Sequence, residues 1–164
     1  MQIDRARLEL ERRLGPSRVL TSPDACATYA RDDSDVEGKV PSAVVLASSV
    51  DDVAATLEIA ERFEVPVTPR AGGTGRTGGS VPMQGGIVLA THALARIKEI
   101  DRENLVAVVE PGVVTGTLQE QVEAQGLFYP PDPASLEFCS IGGNASTNAG
   151  PMRGVMTNNP SGLR

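Results

Sequence analysis

Val65-Pro66-Val67-Thr68-Pro69-Arg70-Ala71-Gly72-Gly73-Thr74-Gly75-Arg76-Thr77-Gly78-Gly79-Ser80 decides the fold, because it runs from a short apolar strand into a long glycine-rich loop. Upstream, Ala43-Val44-Val45-Leu46-Ala47 reads as another apolar strand. Between them Ser49 can cap a helix, with Asp52 three residues on in the capping-box position. Val50, Val53, Leu57 and Ala60 recur at helical spacing and predict the face that packs on a sheet. A strand, helix and strand joined this way make the two strands parallel. The loop leaves the second strand at Pro69, at the carboxyl end where open α/β sheets bind ligands.

Gly73-x-Gly75-x-x-Gly78 spells the dinucleotide fingerprint, but that fingerprint requires a helix directly after the turn. Gly79-Ser80-Val81-Pro82, followed by Gly85-Gly86, cannot begin one. A phosphate loop of the Gly-Lys-Ser/Thr type is absent from the sequence. What remains is an extended nest of amides able to hold phosphate oxygens without a helix dipole.

A second segment, Ile141-Gly142-Gly143-Asn144-Ala145-Ser146-Thr147-Asn148-Ala149-Gly150, again mixes glycine with hydroxyl and carboxamide side chains and reads as a second glycine-rich loop. Tyr129-Pro130-Pro131-Asp132-Pro133 precedes it as a rigid loop, too rich in proline for a helix or central strand. Glycine allows close backbone approach, and Ser, Thr and Asn supply oriented hydrogen bonds. Two such segments in one short chain point to a large polar ligand, with a diphosphate-bearing cofactor as the natural candidate.

Residues 3–14 predict an amphipathic helix stopped by Gly15-Pro16. Ser22-Pro23 opens a short helix through Ala30. Residues 31–38 form a polar loop, and Asp33-x-Asp35-x-Glu37, without the rest of a calcium loop, reads as solvated. Ile87 to Ala90 is a strand. Ile97 to Ile100 and Leu105 to Glu110 are arms of a hairpin turning at Asp101 to Asn104. Thr115 or Thr117 caps a further helix carrying Leu118, Val122 and Ala124, which Gly126 closes.

Hydrophobic residues make up 40% of the 164, enough for a globular core, but aromatics only 3% with no Trp, so that core rests on Val, Leu, Ile and Ala. A net charge of −6 leaves no basic stripe for nucleic acid. Cys26 and Cys139 are far apart in sequence and read as two buried or half-buried thiols, not a disulfide framework or a metal site. No apolar run reaches membrane-spanning length and the N-terminus lacks a signal peptide's apolar segment, so the expected location is cytoplasmic.

Thr68 to Gly79, Val109-Glu110-Pro111-Gly112-Val113, Gly126 to Ser135 and Cys139 to Gly150 together resemble the FAD-linked oxidases of the vanillyl-alcohol oxidase type. Within them the chain looks most like the glycolate oxidase flavoprotein subunits and the D-lactate dehydrogenases. The resemblance implies an α+β, two-lobed FAD-binding domain, with the first lobe complete and the second truncated. It divides the chain into an N-terminal helical segment at 1–40, the FAD-binding domain at 41–150 and a divergent tail at 151–164. Arg70, Gly72, Gly73, Thr74, Gly75, Thr77 and Gly78 would hold the FAD diphosphate. Pro131 and Asp132, with Ser140, Gly142, Gly143, Asn144 and Thr147, would line the diphosphate, ribityl and flavin side.

The implied reaction moves hydride from C2 of a 2-hydroxy acid, such as glycolate or D-lactate, to the flavin. The family's cap and C-terminal catalytic regions are expected to be missing, and His92, the one histidine, reads as a surface or lobe-interface residue. Catalytic residues therefore stay unassigned. Three roles remain open: the FAD-binding portion of an oxidoreductase, a truncated non-enzymatic remnant, or a subunit completed by other chains of a glycolate oxidase-like complex.

Overall fold

The structure is a computed structural model and describes residues 1–150. The tail at 151–164, read from sequence as divergent, lies outside the described residues. The chain forms two units, Met1–Leu94 and a second beginning at Ala95.

The first unit is built on α1 (Gln2–Leu14), β1 (Val19–Leu20), α2 (Pro23–Ala27), β2 (Ala43–Leu46), α3 (Val50–Arg62), β3 (Val67–Arg70) and β4 (Ile87–Ala90). The sheet order is β1-β2-β4-β3. Strands β2, β4 and β3 run parallel, with Val44 opposite Val88 and Thr68 opposite Val88 on its other side. β1 pairs antiparallel with β2. The helix crossover thus makes β3 parallel to β2 as expected, while β4 takes the place between them. Sequence explains that order: all four residues of β4 are buried, whereas Pro69 lacks an N–H and suits only an outer strand.

Alternation along the strands sends side chains to two faces. Ala43, Val45, Ile87 and Leu89 meet Ala6 and Leu10 of α1 and Ile59 and Ala60 of α3. Val44, Val88 and Ala90 face the other way, against Cys26, Leu20 and Tyr29. Burying each valine fully contributes about 2 kcal/mol. α1 is therefore part of this unit's core.

Helix α3 carries the expected capping box: Ser49 Oγ accepts from the Asp52 amide, and the Asp52 carboxylate accepts from the Ser49 amide. Its buried face is the expected one only in part: Ala60 is buried and Val53 packs against the core. Asp52, Ala55, Thr56, Ile59 and Ala60 are buried, and Val50 and Leu57 are exposed. Ala55, Thr56 and Ala60 are small enough to bring the helix close to the sheet, and Thr56 ties its hydroxyl to the Asp52 carbonyl at 2.7 Å. Small residues thus flank the bulky Ile59 on this face. Helix α2 stops at Ala27, short of Ala30, in tight turns from Tyr29 to Cys26 and from Ala30 to Ala27.

The second unit begins with the antiparallel hairpin β5 (Ile97–Asp101) and β6 (Val106–Val109). Asp101 closes its turn by accepting from the amides of Glu103 and Asn104, each at 2.9 Å. Helix α4 (Thr115–Glu123) follows. Gly126 closes it as expected, its amide donating to Glu123 while that of Leu127 donates to Val122. The start of α4 corrects the sequence reading, because neither Thr115 nor Thr117 is its cap. Val114 takes that position, held extended by a bridge to Ser140, and Thr115 is the first helical residue.

The second glycine-rich segment is also not a loop: Ile141–Thr147 is helix α5, ended by Asn148 in the left-handed region. Tertiary contacts override the low helix propensity of Gly142 and Gly143. The Gly142 amide donates to the Pro111 carbonyl at 2.8 Å and that of Ile141 to Val113 at 2.9 Å. Val113, Leu118 and Val122 form this unit's core with Ile97, Val109, Leu127 and Ile141 around them.

Candidate functional site

In the first unit the chain from Ala71 to Gly86 makes only turns and bends, so no helix follows the glycine loop. Arg70 anchors its start. The Arg70 carbonyl ends β3 by accepting from the Thr91 amide at 2.9 Å. Its guanidinium turns back over the Tyr29 ring, 5.6 Å from the centroid, and donates to the Arg31 carbonyl. Burial there lowers the guanidinium's affinity for its proton, and Asp32, Tyr29 and Asp33 oppose that shift. Gly73, Thr74, Gly75 and Gly78 are half-buried, and Gly72 and Thr77 are exposed.

Residues 31–38, read as a solvated loop, divide into two kinds. Asp33, Asp35 and Glu37 are exposed. Asp32 and Val36 are half-buried beneath the glycine loop. The Asp33 amide donates to the Gly75 carbonyl at 3.1 Å, and Val36 packs against the site where a Gly78 side chain would stand. Burial would raise the Asp32 carboxyl, but donors on Ser34 and Ser80 outweigh it and hold the group below the usual carboxylate range. Sequence reasoning missed this support, and its one local signal is the Asp-x-Ser pattern at 32–34, which favours a side chain bonding to the backbone two residues on.

The amides of the loop are left over. Among the described residues, no N–H from Gly72 to Gly79 donates to a protein acceptor. Such a row suits an anion with several oxygens.

In the second unit Gln119, on α4, pins the proline-rich loop by donating to the Pro131 carbonyl at 2.8 Å. Pro131 and Asp132 are half-buried. Thr115 stands at the centre of a buried polar group. Its hydroxyl receives donors from Asn144 Nδ2 and, at 3.2 Å, from Cys139 Sγ. The Asn144 amide is thus engaged inside the unit. Gly142 and Gly143 are half-buried on α5, and exposed Thr147 returns its hydroxyl to the Gly143 carbonyl at 2.9 Å. Ser140 differs. It is 4% exposed, and its Oγ has no hydrogen-bond partner among the described residues. Buried polar atoms without partners are uncommon, so this hydroxyl awaits a ligand or water.

Taken by itself, the unpaired row of amides in the first unit fits a diphosphate such as that of FAD, and the orphaned buried hydroxyl of the second unit fits a polar, hydrogen-bonding ligand group. Thr115 was read from the sequence only as a candidate helix cap, and Gln119 was not singled out. His92 is exposed, matching the surface reading. Both cysteines are buried free thiols, and burial, the main influence, raises the Cys26 value. Among the described residues no helix is long and apolar enough to cross a membrane.

A family model described as an FAD binding domain matches residues 41–163. The chain is 40% identical over 141 residues to the glycolate oxidase subunit GlcD of Bacillus subtilis (strain 168), covering 86% of this chain and 30% of that protein. It is 36% identical over 149 residues to a D-lactate dehydrogenase of Anaerostipes hadrus, covering 90% of this chain and 31% of that protein. The chain therefore spans roughly a third of the length of these curated relatives. Among solved structures, p-cresol methylhydroxylase with substrate bound superposes with a TM-score of 0.77 at 25% identity, over 91% of this chain and 30% of that one. The α+β fold of the vanillyl-alcohol oxidase type expected from the sequence is borne out.

Proposed function

The chain belongs to the FAD-binding domain family, and on that premise we propose that it supplies the diphosphate cradle of a flavin-dependent oxidoreductase acting on a 2-hydroxy acid such as glycolate or D-lactate. The observation that carries the proposal is the row of amides from Gly72 to Gly79 with no acceptor among the described residues. Gly72, Gly73, Thr74, Gly75, Thr77 and Gly78 would wrap the two phosphates with N–H and hydroxyl donors, and Arg70 would fix the loop's entry. Ser140, with Gly142, Gly143, Asn144, Thr147, Pro131 and Asp132, would line the ribityl and flavin side. Residues 41–150 carry all of these groups. When bound, FAD supplies the two-electron acceptor for the hydrogen on the substrate's C2. The chain's own residues orient the cofactor and leave substrate binding and proton removal to groups elsewhere in the enzyme.

A second reading gives the same cradle to a subunit completed by a partner polypeptide, as in a glycolate oxidase-like complex. It is suggested by the printed name of one curated relative, a glycolate oxidase subunit. Co-purification with a flavoprotein partner that restores oxidation of glycolate or D-lactate distinguishes the two.

The test is a titration of flavin-free protein with FAD, followed by flavin fluorescence and thermal unfolding. A ligand that binds only the folded state stabilises it by about 2.7 kcal/mol at a hundredfold excess over Kd. FAD is expected to raise the melting temperature, and ADP to compete. A melting curve unmoved by millimolar FAD overturns the cradle.

A further inference from the structure

We infer that Asp32 is the positioning residue that holds the Gly72–Gly79 loop in its amide-presenting shape. The consequence for cofactor affinity rests on the FAD reading above; the loop's shape does not. Asp32 lies on the other side of the sequence from that loop, outside the family-model match that starts at residue 41, yet its carboxylate reaches both segments. Oδ1 accepts from the Ser34 amide at 2.9 Å and from the Ser34 hydroxyl. Oδ2 accepts from the Ser80 hydroxyl at 3.4 Å, where the glycine loop ends. The next residue, Asp33, donates its amide to the Gly75 carbonyl at the loop's middle.

Ser34 extends the support by accepting from the Val36 amide at 3.2 Å, which sets Val36 beneath Gly78. One carboxylate thus organises a floor under the middle and end of the loop. Because the floor takes up the Gly75 carbonyl, that part of the loop keeps its carbonyl turned inward. A flexible glycine chain would lose that arrangement, since each unconstrained residue regains backbone entropy.

The sign of one measurement separates this role from simple electrostatics. A carboxylate near a diphosphate repels it, so by charge alone Asp32→Ala should tighten FAD binding. Positioning predicts the opposite: FAD affinity falls about tenfold, the ratio that one charge-assisted hydrogen bond is worth. Asp35→Asn removes a like charge from the same loop and leaves affinity unchanged.

A second arm needs no ligand. Trypsin is added to the flavin-free full chain and the initial rate of cleavage at Arg76–Thr77 is followed by mass spectrometry. Asp32→Ala and Ser80→Ala are both expected to speed that cleavage severalfold, and Asp35→Asn leaves it unchanged. Ser80→Ala keeps the chain around Arg31 intact and serves if Asp32→Ala does not fold. Unchanged Arg76 cleavage in the Ser80 and Asp32 variants, or tighter FAD binding by Asp32→Ala, overturns the inference. Faster cleavage in a protein that binds no FAD supports Asp32's role and overturns the cofactor reading instead.

Discussion

Gly73 sits so close to the Arg70 guanidinium that a Cβ at position 73 would overlap Nη2. Arg70 is a flexible neighbour and could swing away, but only by leaving the Tyr29 ring and the Arg31 carbonyl. Gly73 also has φ +71, in the left-handed region. Gly73→Ala therefore meets two penalties, about 1–2 kcal/mol of backbone strain and about 0.5–1 kcal/mol of lost cation–π contact. Urea unfolding is expected to show a lower midpoint with an unchanged slope, and FAD titration a weaker Kd. Full retention of both would mean that Arg70 has an equally good second position.

Gly142 on α5 tests the opposite balance. Alanine is the better helix former by about 1 kcal/mol. However, a Cβ there would stand 2.6 Å from Pro111 Cβ and 3.0 Å from its carbonyl oxygen, both rigid. Overpacking against a neighbour that cannot yield costs about 1–3 kcal/mol. Gly142→Ala is thus expected to destabilise the protein by about 1 kcal/mol, read from chemical denaturation. A gain in stability would show that Pro111 moves freely.

For Ser140, the bound and free proteins should respond in different directions. A buried hydroxyl without a partner costs about 1–3 kcal/mol, which alanine avoids. Ser140→Ala should leave the flavin-free protein as stable as wild type or more so. Its FAD affinity should fall severalfold, because a hydrogen bond made only in the complex is gone. An equal loss of stability with and without FAD would assign the hydroxyl a structural partner.

Asp52 sets a pH dependence. Burial would raise its carboxyl, but the Ser48 amide and hydroxyl, Ser49 and the Arg18 guanidinium, 2.7 Å away, hold it below the usual carboxylate range. A folded value below the unfolded value of about 3.9 means that the unfolded chain binds the proton first. The contribution is therefore complete above about pH 4 and is lost as the pH falls through the lower folded value. Wild type should lose urea resistance steeply below that point. Asp52→Asn should be less stable by about 2 kcal/mol at pH 7 and show a smaller loss on acidification. Parallel pH curves for the two proteins would place the titrating group elsewhere.

Much of the first unit was legible because its signals are local. Gly15, Ser22-Pro23 and the Ser49/Asp52 box act within one helical turn, and each sits at the boundary it predicts. The strands showed as apolar runs for the same reason. Three features were not legible because each is decided by a residue distant in sequence. α5 is helical through what Pro111 and Val113 accept from it. Thr115 lies inside α4 because Ser140 holds Val114 extended. Asp32 supports a loop that begins about forty residues later in the chain. For the site, residue types alone marked both glycine-rich segments as suited to a polar ligand, since that follows from what glycine, threonine and asparagine can donate. Residue types could not separate Asn144, whose amide is engaged by Thr115, from Ser140, whose hydroxyl is unpaired.

The sheet order carries a last consequence. One rim strand, β1, is two residues long, and the other, β3, contains Pro69. Neither offers the continuous row of donors and acceptors on which a foreign strand could be templated. The four-stranded sheet is therefore blunted on both sides against growth into fibres, and copies that meet at its rims must do so by side-chain surfaces.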